Sequence, residues 1–472
     1  MYRFFAAALV VIFFVVTGCH SFGERHFQIR DEFVHGQVDK AKTDVNRAIK
    51  LSSRKDADLL KLNSAIIELC SGRPKSAELL LREVRDNFDR IERERAANAA
   101  RDAASLLTDD NTRAYSGEDY EKVLIRVFLA ISNLMQDGND AYAYALQIND
   151  KQNKIIESRK SEVMKLGDNN PELVRGVVEA YRNVAIGAYL EGVIQEETKR
   201  NYEEAFRAYK RAGTDRDAER AKNGLHSKSG NGVVYVIGLV GEGPYKKQMN
   251  CEVLRDAQII ATLILSHVSR AAVIPDIAPI MIPVIMQDKS AETLFKVWVG
   301  GEKIPADMIT RTDTGTITDI GQLAEGQFEA SRPMIIARAI VRRAFKKGVV
   351  YGMKDVVDAN KWVGLMFEVG GMVWESFETA DTRCWNLLPE KIRVVRMELP
   401  VGEHELIFEP YFYRKVTTGG YGALPPEYGE RVTKKVKVRD GRNTYVLANF
   451  IRKNLIGEIT VSGENNEKKD EK

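Results

Sequence analysis

The sequence predicts an α+β protein, with a helical repeat half followed by a mixed α/β domain that ends in a small antiparallel β-sheet or sandwich. Three observations carry the prediction. Between about Phe27 and Leu225 only Pro74 and Pro171 interrupt residues that favour helix throughout. At Ser227-Lys228-Ser229-Gly230-Asn231-Gly232 a flexible link intervenes, and Val233-Val234-Tyr235-Val236-Ile237-Gly238-Leu239-Val240 follows with the β-branched and aromatic content of a buried strand. From Lys391 onward, alternating runs separated by turns read as strands. The expected division is 1–18 signal peptide, 19–26 acylated linker, 27–225 helical repeat domain, 232–390 mixed α/β domain, 391–462 antiparallel β segment and 463–472 disordered tail. With 44% hydrophobic and 29% charged residues, the chain can bury real cores.

The first element is Met1-Tyr2-Arg3, an apolar run from Phe4 to Val16, and then Val16-Thr17-Gly18-Cys19. A spanning helix needs about 20 apolar residues, so a basic start with this shorter run describes a secretory signal. Val-Thr-Gly-Cys resembles the lipobox of bacterial lipoproteins, although Val16 replaces the more usual Leu and Thr17 replaces Ala or Ser. The resemblance implies cleavage before Cys19, whose thiol would carry a diacylglyceryl group. Two or three acyl chains anchor stably where one does not. An uncleaved N-terminal anchor with an incidental Cys is the competing reading. His20 after Cys19, in place of Asp, implies the outer membrane by analogy with sorting in Gram-negative envelopes.

Three stretches of the helical half share one spacing: Gly36-x-Val38-x-x-Ala41-x-x-x-Val45-x-x-Ala48, Gly72-x-Pro74-x-x-Ala77-x-x-x-Leu81-x-x-Val84, and Tyr202-x-x-Ala205-x-x-x-Tyr209-x-x-Ala212. In each, a small residue lies one turn before a large one on the same helix face, and the Gly, where present, closes the preceding helix. The first two copies lie 36 residues apart, a period that marks stacked helix pairs. The pattern resembles the tetratricopeptide repeat and implies a tetratricopeptide-like α-solenoid, packed through Gly36, Ala41, Gly72, Ala77, Ala205 and Tyr209. The last copy departs from the family, since Tyr189 and Tyr202 are 13 positions apart, roughly two turns more than the family has. An irregular α-bundle is the alternative. Between copies, Ser116 reads as the cap of a helix with acidic residues in its first turn.

In the second half, Gly238-x-x-Gly241-x-Gly243-Pro244 lacks the order of a dinucleotide fingerprint and reads as a turn exposing Pro244, Tyr245, Lys246 and Lys247. Ile280 to Met286 reads as an extended segment or edge strand beside Pro275, Pro279 and Pro283, and Gln322 to Lys347 as a long helix. Trp362 to Phe377 reads as an apolar helix whose Glu368 would need a partner such as Arg338 or Arg342. Ala380-Asp381-Thr382-Arg383-Cys384-Trp385-Asn386-Leu387-Leu388-Pro389 follows. There the chain resembles an uncharacterised family of bacterial envelope lipoproteins, which implies no activity. Asp381 and Arg383 suit a loop-ordering pair and Trp385 a core plug. Asp440-Gly441-Arg442 between two alternating runs signals a hairpin.

The chemistry sought is sparse. Cys70, Cys251 and Cys384 are widely spaced and allow one disulfide at most, and no Cys/His cluster suits zinc. The six histidines form no HExxH, and neither a Gly-x-Ser-x-Gly elbow nor a Walker lysine occurs. No cofactor, metal or catalytic residue is assigned. A net charge of +3, from 70 basic and 67 acidic residues, asks for no nucleic acid. The sequence thus points to a lipoprotein scaffold or assembly factor at the cell envelope, touching the membrane through lipid at Cys19 and an envelope protein or peptide through its surfaces. An envelope hydrolase or a glycan- or peptidoglycan-binding protein using the C-terminal half is the alternative.

Overall fold

A computed structural model describes residues 22–98, 113–165, 171–181, 184–199, 201–224, 226–252, 254–255, 257–259, 261–262, 280–300, 315–346, 380–414 and 424–464. The lipobox-like segment with Cys19, the helix expected at Trp362 to Phe377 and residues 465–472 of the tail lie outside the described residues. The chain is mixed α+β.

The helical half comprises α1 (Phe22–Val34), α2 (Val38–Leu51), α3 (Ala57–Cys70), α4 (Pro74–Asn98), α5 (Asp119–Leu134), α6 (Ala141–Lys165), α7 (Pro171–Tyr181), α8 (Ala185–Ile194), α9 (Tyr202–Arg211) and α10 (Asp215–Lys222). From α1 to α7 each helix packs on the next, α8 returns to α6, and α9 and α10 follow on α8. Ala41, Ala77 and Ala205 are fully buried, as are the large residues one turn later, Val45, Leu81 and Tyr209. Gly36 (φ 78°) and Gly72 (φ 68°) adopt the left-handed conformation that ends α1 and α3. The N–H groups of Gln37 and Arg73 then reach back to the carbonyls of Glu32 and Glu68, both at 2.9 Å, satisfying helix-end acceptors. The extra length after Tyr189 is absorbed by a π-helical turn, Gln195–Lys199, that continues α8.

Two expectations for this half change. Residues 22–26, expected within the acylated linker, form the first turns of α1, because His26, Ile29 and Phe33 share a buried face. The cap of α5 is Glu118 rather than Ser116: its backbone N–H donates to Glu121 Oε2 at 3.0 Å, and Asp119 opens the helix. Every residue of α5 except Lys122 is buried. This near-continuous burial marks a helix surrounded by protein.

Two sheets follow. The first has the order β11-β10-β1-β6-β5, where β1 is Asn231–Glu242, β5 Gly315–Asp319, β6 Pro389–Pro400, β10 Asn443–Ile451 and β11 Asn454–Leu455; β12 (Thr460–Val461) also pairs with β10. β1 runs antiparallel to β6 and parallel to β10. Val233, Tyr235, Ile237 and Leu239 of β1 face the helices, while Val234, Val236 and Val240 face the second sheet. Burial on both faces explains why β1 reads as a continuous apolar run. The second sheet contains β4 (Ala291–Gly300), β7 (Gly402–Arg414), β8 (Glu427–Tyr428) and β9 (Val432–Val438), with β7 paired to the other three. Its inner residues Phe295, Leu406, Phe408, Val436 and Val438 complete a sandwich core. A ribbon of β2 (Tyr245–Cys251) and β3 (Ile280–Met286) packs against α11 (Ile320–Lys346).

The strands after residue 391 therefore form no separate antiparallel unit. The expected boundary at 390/391 falls inside β6, and β1, β4 and β5 from before it are shared between the two sheets. Asp440-Gly441-Arg442 makes a tight turn but no hairpin: β9 pairs with β7 in one sheet and β10 with β1 in the other. The turn is fixed to the start of β1, with Gly441 N–H on the Asn231 carbonyl at 2.8 Å and Gly230 N–H on Asp440 Oδ1 at 2.9 Å. Gly238 and Gly241 lie within β1, and Pro244 and Lys246 are buried rather than displayed on a turn, because Lys246 pairs with Glu118 of the helical half.

Candidate functional site

The segment 380–389 runs into the junction between α1, α3, α5 and the first sheet, and the polar groups around it form a buried network linking the two halves. At its entrance Asp381 Oδ1 accepts the Arg383 backbone N–H at 3.0 Å and Nε at 2.9 Å, while Oδ2 accepts Nη2 at 2.8 Å. Arg383 Nη1 continues to Asp56 Oδ1 and to the Arg113 carbonyl, both at 3.0 Å, and the guanidinium lies 5.5 Å from the Tyr115 ring centroid. Burial alone would raise the Asp381 carboxyl, but the forked contact with Arg383 holds it below the usual range.

Two residues on, Trp385 is fully buried, with its ring 5.4 Å from that of Phe128 on α5. Its backbone N–H donates to Glu121 Oε1 at 2.7 Å, while its indole N–H has no hydrogen-bond partner among the described residues. Glu121 also accepts from the Tyr115 hydroxyl, from the Tyr120 hydroxyl at 3.4 Å and from the Glu118 backbone. Burial, with the Glu118 carboxylate nearby, pushes the Glu121 carboxyl up to about 7. The same burial pushes the Cys384 thiol up to about 12, which leaves it without nucleophilic thiolate.

Asn386 completes the network. Its backbone carbonyl accepts from Arg30 Nη1, its side-chain oxygen from Asn63 Nδ2 at 3.0 Å, and its side-chain amide donates to the His26 carbonyl at 3.3 Å. Asn63 Nδ2 also lies 3.3 Å from His26 Nδ1, and His26 Nε2 lies 3.0 Å from the Cys384 carbonyl. A donor at Nδ1 and an acceptor at Nε2 assign the proton to Nε2. Burial lowers the His26 pKa to about 4, so the ring is neutral and both nitrogens are engaged. Arg30 Nη2 reaches Glu242 Oε2 at 3.3 Å and the Gly243 carbonyl at 3.2 Å, tying α1 to the end of β1.

Chemically this is a fastening. Arg30, Glu242, Gly243, Asn386, Leu388 and Asn449 line a cavity of about 10 Å³. That is room for one water and far below the ~300 Å³ at which small-molecule pockets begin. Among the described residues no group of three or more His, Cys, Asp and Glu could hold a metal. Cys70, Cys251 and Cys384 are free and buried.

The sequence-selected residues fall into separate places. Asp381, Arg383 and Trp385 meet in this junction. Gly36 and Gly72 turn beneath the C-terminal segment, facing Ile456 and Glu458 respectively, and Glu458 N–H donates to the Cys70 carbonyl at 2.7 Å. Ala41 and Ala77 pack between early helices. Ala205 and Tyr209 belong to a second junction, where the Tyr209 ring lies tilted against that of Tyr189, their centroids 5.5 Å apart. The sequence does not mark His26, Arg30, Asn63 or Glu121 for this junction, assigns Asn386 no role within the 380–389 segment, and reads Lys246 as an exposed turn residue. Glu121 looks like an ordinary acidic residue of a first helical turn, and only Asn386, next to Trp385, had a local signal. Comparison with known proteins returns no matching family model, no matching curated protein and no matching solved structure.

Proposed function

We propose that this chain is a bacterial envelope lipoprotein, acylated at Cys19 and held at the periplasmic face of the outer membrane, where it acts as a protein-interaction scaffold or assembly factor. The observation that carries this reading is the lipobox-like Val16-Thr17-Gly18-Cys19 behind a short apolar run. Two features support the scaffold part. Ala41, Ala77 and Ala205 are buried one turn before Val45, Leu81 and Tyr209, which is what stacked tetratricopeptide-like repeats require. The buried polar groups at the junction hold one half of the molecule to the other, and a rigid body on a lipid tether suits a docking platform.

The test is metabolic labelling with radioactive palmitate together with membrane fractionation of the wild type and Cys19→Ser. The expected result is label and membrane association in the wild type, both lost in Cys19→Ser. A Cys19→Ser protein that keeps its membrane association overturns the reading.

A further inference from the structure

The pleat of the second sheet places Phe295 in the sandwich core and turns Leu294, Lys296 and Trp298 outward. In register, Leu294 lies opposite Tyr411, Lys296 opposite Glu409 and Trp298 opposite Ile407, while Tyr411 lies opposite Tyr428 on the other side and Tyr413 opposite Glu292. The outer face therefore carries aromatic rings over ~20 Å of strand. Trp298 is 47% exposed and Tyr428 48%, unusual for large rings with no core to fill. Tyr411 and Tyr428 lie 5.5 Å apart, and Tyr413 meets Tyr411 edge-on at the same distance.

The charge on this face is uneven. Glu409 is engaged by Arg431 at 2.8 Å, and Glu292 by Lys391 at 3.1 Å and Arg393 at 2.9 Å. Lys296 is different: its Nζ rests 5.2 Å and 5.0 Å from the Tyr411 and Tyr428 centroids and donates to the Tyr428 hydroxyl at 3.4 Å, and among the described residues no carboxylate forms an ion pair with it. The carboxylates beside it are already neutralised, so an ammonium remains in the middle of the rings.

We propose that the outer face of β4, β7 and β8 docks a polysaccharide chain bearing carboxylate groups. Pyranose rings present flat C–H faces, which pack on exposed aromatic rings, and hydroxyls, which pair with the phenols of Tyr411, Tyr413 and Tyr428. A sugar carboxylate supplies the counter-charge for Lys296. A cationic ligand would meet the ammonium already occupying the tyrosine pair. Single-stranded nucleic acid needs a positive track along its whole backbone, whereas here, among the described residues, the Lys296 ammonium sits between paired charges. This site is independent of the lipid anchor and of any protein partner.

The experiment is affinity electrophoresis of the detergent-solubilised full chain in gels containing polygalacturonate, its methyl ester, dextran or an oligothymidylate. Polygalacturonate should retard the protein most. Trp298→Ala should weaken that retardation about tenfold or more, the value of one lost aromatic stack, and Lys296→Gln should erase the preference over the methyl ester. Tyr428→Ala gives the same reading should Trp298→Ala lower the thermal midpoint. The proposal is overturned by equal migration with and without polygalacturonate, by retardation that these variants leave unchanged, or by stronger retardation on oligothymidylate.

Discussion

Glu121 and Glu196 are both fully buried glutamates at junctions between helices and the first sheet, yet their environments drive them in opposite directions. Glu121 is surrounded by neutral donors from Trp385, Tyr115, Tyr120 and Glu118, and burial raises its carboxyl. Glu196, in the π-turn, is also pushed up by burial, but the His226 ring and the Arg220 guanidinium outweigh it and hold the carboxyl below its usual range. Arg220 Nη2 lies 3.0 Å from both Glu196 oxygens, and the Tyr209 hydroxyl donates at 3.0 Å. His226 Nδ1 is 3.7 Å away, beyond hydrogen-bond reach, so Arg220 is the main counter-charge. The lesson is that burial alone does not decide a carboxylate's state. One buried glutamate is held mainly by neutral hydrogen bonds, the other by an ion pair.

The largest effect should come from turning the second junction into a copy of the first. Arg220→Met leaves Glu196 buried without its cation, which should cost about 3–5 kcal/mol at pH 8. The loss should shrink at pH 5, where Glu196 can take up a proton. Urea unfolding at the two pH values reads the difference, and equal losses would show that Glu196 does not carry an uncompensated charge.

The first junction should show a pH effect of about 3 kcal/mol that is hidden in the wild type. Glu121, raised from 4.5 to about 7, gives stability that is fully present below 4.5 and is lost as pH rises through 7. His26, lowered from 6.5 to about 4, does the opposite: its contribution is present above 6.5 and is lost as pH falls through 4. The two slopes are each worth about 3 kcal/mol and cancel over most of their range. Glu121→Gln should expose the His26 slope, so that stability rises between pH 4 and 6.5. The amide also sets an NH2 against a backbone donor, a pH-independent loss of about 1–3 kcal/mol. The variant's own thermal midpoints across this range read the His26 slope, and their difference from the wild-type curve reads the lost Glu121 slope and the constant loss.

The smallest effect concerns close packing at the second junction. A Cβ on Gly192 would lie 2.8 Å from the Tyr209 ring, so Gly192→Ala should destabilise by about 1–3 kcal/mol. Gly176 in α7 has no atom within 4 Å of its Cβ position, and Gly176→Ala should stabilise by about 0.5–1 kcal/mol. Thermal melts that shift in the same direction for both would remove the distinction.

Much of the local architecture was legible because it is periodic. The repeated alanines marked helix contacts, β1 announced its double burial through an unbroken apolar run, and Ile280 to Met286 was bounded correctly. Pairing was not legible, since β1 meets β6 and β10 across 146 or more residues of intervening chain, and no periodicity states which strand lies beside which. Asp440-Gly441 shows the limit: the same turn chemistry serves a hairpin and a crossing between sheets. The junction was partly legible at Asp381, Arg383 and Trp385, whose residue types belong together in an ordered loop. His26 and Glu121 stayed hidden because a buried polar residue on a helix has the same local sequence as an exposed one.

The placement of Trp385 and Ile456 against the early helices has a consequence for synthesis. The ribosome completes α1 through α6 more than 200 residues before it makes the segment that fills their junction with the sheet. Until residues 380–389 and 454–461 emerge, the face of α5 that receives Trp385 and the turns at Gly36 and Gly72 lack their covers. Folding of the first half therefore waits on the last, and the growing chain carries an open apolar surface that makes it a client for chaperones.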